Sequence, residues 1–352
     1  MGLKEEVQAK LAEIYLSQEY FPQMIKDDSF PKERVEDYVP QQINVIRDDT
    51  AEMTAIDIER IFYEAGLVLL KGNAGVGKTT VETYLAHLWV GEINKRLAGE
   101  IDKGLADKFD YVFKIKLKLL TSDNWQVPYG IDNISRYPLA CFIHYALNQS
   151  SLEAEDRISF EEIKTILANK VGRDKILLLF DNAEDVVHLM DKHGSIVKNV
   201  MDQALSLHSK YSKYSVMMTS RPNCLPRELE SMFDLKLWTN GLDEKGVELF
   251  IKQTFARQYE RLKVEVNKFF EHKEDGPNMD QAILSYFWDS KDASSNEILI
   301  LLKKIPAIEG DRTKAGIIKA IDNYYKEIDK LIDRILMDPS VKELLSSPLN
   351  AA

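Results

Sequence analysis

The sequence predicts an α/β domain, a parallel sheet flanked by helices, followed by an all-α helical domain. Three observations carry this prediction. A glycine-rich run, Gly72 to Thr80, stands between an apolar strand pattern and an amphipathic helix pattern. Strand patterns alternate with helix patterns up to about residue 240, as in parallel sheets. Beyond Gly241 almost every pattern is helical.

Residues 5–25 read as a helix with Val7, Leu11, Ile14 and Tyr15 on one face. A polar stretch with Pro31 follows, then Tyr38-Val39-Pro40. Residues 56–65 read as a short helix leading into the strand Leu67-Val68-Leu69-Leu70. After the glycine-rich run, Val81, Tyr84, Leu85, Leu88 and Trp89 have helical spacing. Tyr111 to Leu119 alternates apolar residues with Lys114, Lys116 and Lys118, which predicts a half-exposed strand. Ile176 to Phe180 is wholly apolar, as a strand covered on both faces should be. Ser215 to Thr219 is a further short strand. Before it lies a helix carrying Ile196, Val197, Val200, Met201, Ala204 and Leu205.

From Gly241 the reading is helix over 242–258 and over 313–337, the latter ended by Pro339. Its stripe runs from Ile317 through Ile321 and Tyr325 to Ile335. Residues 259–312 read as an acidic helical insertion. The divisions are 1–50 as a helical segment and lead-in, 51–240 as the α/β domain, and 241–352 as the helical domain. The final segment, Leu344 to Leu349, is apolar and stops without a finished element, as a chain cut short would.

Composition narrows the function classes. The chain has 352 residues and a formal net charge of −11. Lysines and arginines are interspersed with acids and form no basic tract, so direct nucleic-acid binding is not expected. No apolar run approaches the ~20 residues of a membrane helix. Residues 1–12 carry charge where a signal peptide needs an apolar core. Two cysteines, Cys141 and Cys224, have no partner motif, and six histidines give no zinc spacing. These features predict a cytoplasmic chain without a structural metal.

The chemistry sits at three places. Gly72, Asn73, Ala74, Gly75, Val76, Gly77, Lys78, Thr79 and Thr80 form a complete phosphate-binding loop, the P-loop pattern. Its glycines allow a turn whose N–H groups point at phosphate oxygens. Lys78 can reach the β- and γ-phosphates, which makes it a candidate catalytic residue as well. The Thr79 hydroxyl can ligate Mg²⁺, and the helix from Thr79 points its positive end at the anion. The ligand predicted is ATP or ADP with magnesium. Next, Leu177-Leu178-Leu179-Phe180-Asp181 places an acid at the end of a buried strand, where Asp181 can hold the magnesium water shell. Glu184 and Asp185 follow. They can orient or deprotonate an attacking water, or they are a helix-start acid pair favourable to the dipole. Third, Arg221 in Thr219-Ser220-Arg221-Pro222 follows a strand end. It either touches the γ-phosphate or pairs with a nearby acid such as Glu184 or Asp185.

GNAGVGKTT, LLLFDNAED, MMTSRP and the Asn-Gly-Leu-Asp-Glu segment at 240–244 occur in the order seen in NACHT proteins. The chain from about residue 36 to 352 resembles that family, part of the STAND class of signalling P-loop NTPases related to AAA+ ATPases. Two positions depart from the family pattern. Asn182 replaces a small residue, and the acid pair reads Glu184-Asp185 instead of Asp-Glu. The resemblance implies that Tyr38 and Val39 lie along the base and that Pro348, in Ser347-Pro348-Leu349, packs on the adenine. Without it, Pro348 reads as an ordinary breaker. The family continues into a winged helix with a sensor histidine and a repeat array, neither of which is in this sequence.

Three functions fit. One is a nucleotide-operated switch, in which ADP holds the domains together, ATP frees a surface for self-association or a protein partner, and slow hydrolysis resets it. The others are a constitutive AAA+-type ring ATPase and a non-catalytic adaptor stabilised by nucleotide.

Overall fold

Leu67 to Leu70 is apolar at four consecutive positions and lies fully buried, the signature of a central strand. In the computed structural model it is β3 (Leu67–Lys71) of a seven-stranded sheet. The structure describes residues 2–16, 38–46, 54–97, 104–149, 157–168, 174–190, 196–210, 213–243, 245–250, 252–253, 256, 259, 263 and 314–338. Beside β3 run the strands β1 (Gln42–Val45), β2 (Thr54–Ala55), β4 (Tyr111–Lys116), β5 (Ile176–Asp181), β6 (Tyr214–Ser220) and β7 (Leu235–Gly241). Their order is β2-β1-β7-β3-β6-β5-β4. The five strands from β7 to β4 are parallel, and β1 and β2 add an antiparallel margin.

Helices cover the sheet. They are α1 (Leu3–Leu16), α2 (Ile61–Glu64), α3 (Lys78–Leu97), α4 (Leu105–Lys108), α5 (Ile131–Arg136), α6 (Pro138–Leu147), α7 (Phe160–Ala168), α8 (Val187–Met190), α9 (Ile196–Lys210) and α10 (Arg227–Glu230). The uniformly apolar β5 is buried at all six residues, and β6 at all seven. The α/β architecture is therefore the one the sequence predicts.

Several expectations are corrected. The strand expected over 111–119 stops at Lys116, and Leu117–Thr121 is a 3₁₀ turn. Its alternation holds at Lys116 and Lys118, which are exposed, but not at Lys114, which is half-buried. Lys114 shares a face with Leu179 and Asp181 through the β4–β5 register, and α3 covers that face. The helix expected over 56–65 forms only at Ile61–Glu64, because residues 54–55 join the sheet. On α3, Tyr84 and Leu88 are only half-buried, whereas Glu82, Thr83 and His87 are buried. The antiparallel margin and β7 were not expected. Leu237, Thr239 and Gly241 are buried in alternation on β7, a period-2 signal masked by the short, mixed sequence around it.

The chain divides into two units: residues 1–20 with 40–242, and residues 21–39 with 243–351. The second unit is described only in part. Asp243 starts its helix by accepting a bond from Gly246 N at 2.7 Å. The helix Lys314–Met337 follows the expected span, with Ile321 buried and Leu331 exposed. Of the expected acidic insertion, residues 259–312, only Tyr259 and Lys263 are among the described residues. Among the described residues no helix is long and apolar enough to cross a membrane.

Helix α1 closes the open edge of β4. The Tyr15 hydroxyl donates to Val112 O at 2.7 Å and accepts from Lys114 N at 2.9 Å, taking the place of a neighbouring strand. His87 of α3 bonds the Tyr15 backbone, and burial pulls its pKa down to about 4. This predicts a pH effect. Above pH 6.5 the imidazole is neutral in both folded and unfolded chains. Between 6.5 and about 4 the unfolded chain takes up a proton that the folded one refuses, so stability falls as pH falls. The loss amounts to roughly 3 kcal/mol across the window. His87→Gln should flatten that part of the stability–pH profile in denaturant titrations; an unchanged slope would refute the assignment.

Candidate functional site

The P-loop spans the gap between β3 and α3, so the fold brings a strand end and a helix start to one turn. Gly75 and Gly77 adopt φ of 77° and 91°, a region that favours glycine. At Gly77 a Cβ would also come within 2.0 Å of Gln41 Nε2. Gln41, just before β1, donates to Gly77 O at 2.9 Å and accepts from Thr239 Oγ1 of β7 at 3.2 Å. The loop is thus braced from beneath by the two ends of its unit. Sequence reading missed both residues, because neither lies in a recognisable motif.

Lys78 is buried, and its Nζ donates to Gly72 O and Asn73 O at 2.8 and 2.9 Å. Burial lowers its pKa, Glu184 and Asp181 oppose this, and Arg221 adds to it. A buried ammonium that meets, among the described residues, two carbonyls of its own loop is suited to an anion. Gly72 lies against β7, where a Cβ would meet Thr239 O at 2.9 Å.

Thr79 and Asp181 come together across the helix–sheet junction. Thr79 Oγ1 donates to Asp181 Oδ1 at 2.8 Å, and Thr219 Oγ1 of β6 donates to the same oxygen at 3.2 Å. Asp181 is buried. Among the described residues no group of three or more His, Cys, Asp or Glu can hold a metal. One hydroxyl and one carboxylate instead suit Mg²⁺, which keeps waters and takes substrate phosphate oxygens as its other ligands. The residues present fit that ion.

After Asp181 the backbone turns sharply at Asn182, with φ of 60°. This explains the departure noted in the sequence. The position needs a left-handed residue, and asparagine is among the few non-glycine types that adopt it readily. Asn182 N donates to Thr219 Oγ1 at 2.9 Å, which ties the turn to β6. The turn carries Glu184 and Asp185, both half-buried. Glu184 pairs with Arg221: Arg221 Nε lies 3.1 Å from Glu184 Oε1, and Arg221 N donates to Oε2 at 3.2 Å. Of the two roles open for Arg221, this structure forms the acid pair.

Two charged groups beside the site were not singled out. Glu82 on α3 is fully buried. Burial and the neighbouring Asp181 push its carboxyl up, against the pull of Lys114, Thr219 and Lys78. The one Thr219 hydroxyl proton goes to Asp181, so both Glu82 oxygens lack a hydrogen bond. Lys114 Nζ donates to Thr83 Oγ1. Burial lowers its pKa to about 8, opposed by Glu82 and Asp181. The signal for Glu82 was its place in the buried arc of α3, four residues after Lys78. Tyr38 is half-buried and Val39 buried; both fall in the second unit. Pro348 lies outside the described residues.

No protein-family model matches the chain, and no curated protein matches it. Among solved structures it is similar to domain III of the Thermotoga maritima replication initiation protein DnaA. That likeness has a TM-score of 0.32 at 12% identity and covers 83% of this chain and 97% of that one. Drosophila ORC bound to DNA gives 0.33 at 14% identity, covering 90% and 72% of the two chains. C. elegans PCH-2 gives 0.28 at 12%, covering 75% and 62%. At these TM-scores the likenesses carry no argument, and the reading of the site rests on this chain's own strand order and side chains.

Proposed function

We propose that the chain is a nucleotide-binding module of NACHT or STAND type, a switch that binds ATP or ADP with Mg²⁺ and hydrolyses ATP slowly. The observation that carries the nucleotide part of this reading is the convergence of Lys78, Thr79 and Asp181 at one strand–loop–helix turn; the NACHT or STAND part rests on the order of the sequence motifs. Loop amides and Lys78 bind the phosphates, and the helix start of α3 favours their charge. Thr79 and Asp181 would hold magnesium, which supplies charge neutralisation at the phosphoryl oxygens when bound. Glu184 is the candidate to orient water and take its proton.

The Glu184–Arg221 pair supports slow turnover. While it stands, the acid is engaged by a guanidinium and is not free to act as a base. A γ-phosphate would compete for the same guanidinium, so arrival of ATP would both engage Arg221 and release Glu184. In the switch reading this change is what a partner or a second copy of the chain senses.

The deciding experiment identifies the nucleotide that co-purifies with the protein and compares single-turnover with steady-state hydrolysis. Bound ADP with slow turnover supports the switch. Fast steady-state turnover of the isolated chain points to a constitutive ATPase, and tight binding without hydrolysis to an adaptor.

Arg221→Ala should weaken binding of an ATP analogue by about ten- to a hundredfold, the worth of one charge-assisted bond. ADP affinity should change little. Calorimetric titration with both nucleotides checks this, and equal losses for the two would remove Arg221 from the switch.

A further inference from the structure

A line of hydrogen bonds runs from the magnesium pair to the N-terminal helix. Asp181 Oδ1 accepts from Thr79 Oγ1 at 2.8 Å. Thr79 O accepts from Thr83 Oγ1 at 2.8 Å. Thr83 Oγ1 in turn accepts from Lys114 Nζ. The backbone N of that same lysine donates to the Tyr15 hydroxyl at 2.9 Å, and Tyr15 donates to Val112 O. Every link lies in one unit of the chain, and Thr83 and Tyr15 are 1% and 0% exposed.

The line explains why a lysine sits under α3. An apolar residue at 114 would fill the space, but it would leave the first turn of α3 without an anchor to the sheet edge. Thr83 has one proton, which goes to Thr79 O, so its lone pairs need a donor, and Lys114 supplies one. The buried Glu82 lies between the two contact points on α3, Thr79 against Asp181 and Thr83 against Lys114.

We infer that Thr83 and Lys114 are positioning residues for the Thr79–Asp181 pair, and that Tyr15 of α1 holds Lys114, making the N-terminal helix a working part of the nucleotide site. The inference rests on the nucleotide reading above. It goes beyond it by assigning α1 a role in magnesium use. Groups that orient metal ligands from behind typically matter ten- to a hundredfold in metal affinity. Coupling through a further layer is weaker.

The test uses neutral substitutions in the full chain, so that no change of charge near the metal confuses the result. A fluorescent ATP analogue is titrated at a series of Mg²⁺ concentrations and again in EDTA, with melting temperature measured in parallel. Thr83→Val should raise the half-saturating Mg²⁺ about tenfold and leave the EDTA affinity within about twofold. Thr83→Ser, which keeps the hydroxyl, should restore it. Tyr15→Phe should shift the Mg²⁺ midpoint in the same direction by about two- to tenfold. An unchanged Mg²⁺ midpoint in both Thr83→Val and Tyr15→Phe overturns the inference. So does an equal loss of affinity with and without the ion, which marks a purely structural role. Wild-type protein without magnesium-dependent binding overturns the nucleotide reading itself, and that result shows before any substitution is made.

Discussion

Replacing Lys78 with alanine lowers nucleotide affinity by about a hundredfold or more. The side chain is buried, and its ammonium meets only Gly72 O and Asn73 O in the loop. Phosphate oxygens would take over from these carbonyls and form charge-assisted bonds of about 1.5–3 kcal/mol each. Two such bonds correspond to roughly a hundredfold or more in binding. Folding should not suffer, because burial already disfavours the charge that is removed. Lys78→Arg should rescue little, since a planar fork does not fit where a compact ammonium sits. Isothermal titration with ADP and a non-hydrolysable ATP analogue decides it. Affinity within threefold of wild type would end the phosphate reading of the loop.

The second large effect is at Asp181. Asp181→Asn should keep nucleotide binding but cut magnesium-dependent hydrolysis by about a hundredfold or more, because an amide is a poor ligand for a hard cation. Stability should change little. Asp181 and Glu82 are neighbouring buried acids, and Asp181 helps push the Glu82 carboxyl up. Removing the charge relieves that repulsion but gives up its attraction to Lys78 and Lys114, while the amide oxygen still accepts from Thr79 and Thr219. A variant that melts lower and hydrolyses normally would make Asp181 a structural acid only.

How much of this could be read from the sequence depends on how local each constraint is. The P-loop was legible because its backbone demands specific residues at specific places: Gly75 and Gly77 have positive φ, and Lys78 follows directly. Asp181 was legible because it ends a strand buried at every residue. The Arg221 question was legible only as a choice, since pairing with Glu184 or with phosphate depends on what occupies the site. Lys114 was misjudged. Its alternation with apolar neighbours has the period of a half-exposed strand, but the edge strand is roofed by α3 and closed by α1, so the lysine faces hydroxyls instead of water. Gln41 and Thr239 carry no pattern that links them, and only the sheet order brings them to the same glycine.

The bracing of Gly77 also sets an order of events during synthesis. Gln41 reaches the loop across 36 residues of chain, and Thr239 reaches Gln41 across 198. The strand that places Thr239, β7, is the last of the sheet to leave the ribosome, yet it inserts between β1 and β3. A nascent chain can form β3 and the start of α3 early, but until β7 arrives the strand has an unfilled flank and the loop lacks its brace. Contacts this distant close slowly, and open strand edges are exposed while they wait. The capacity to hold a phosphate therefore waits on the last strand of this sheet.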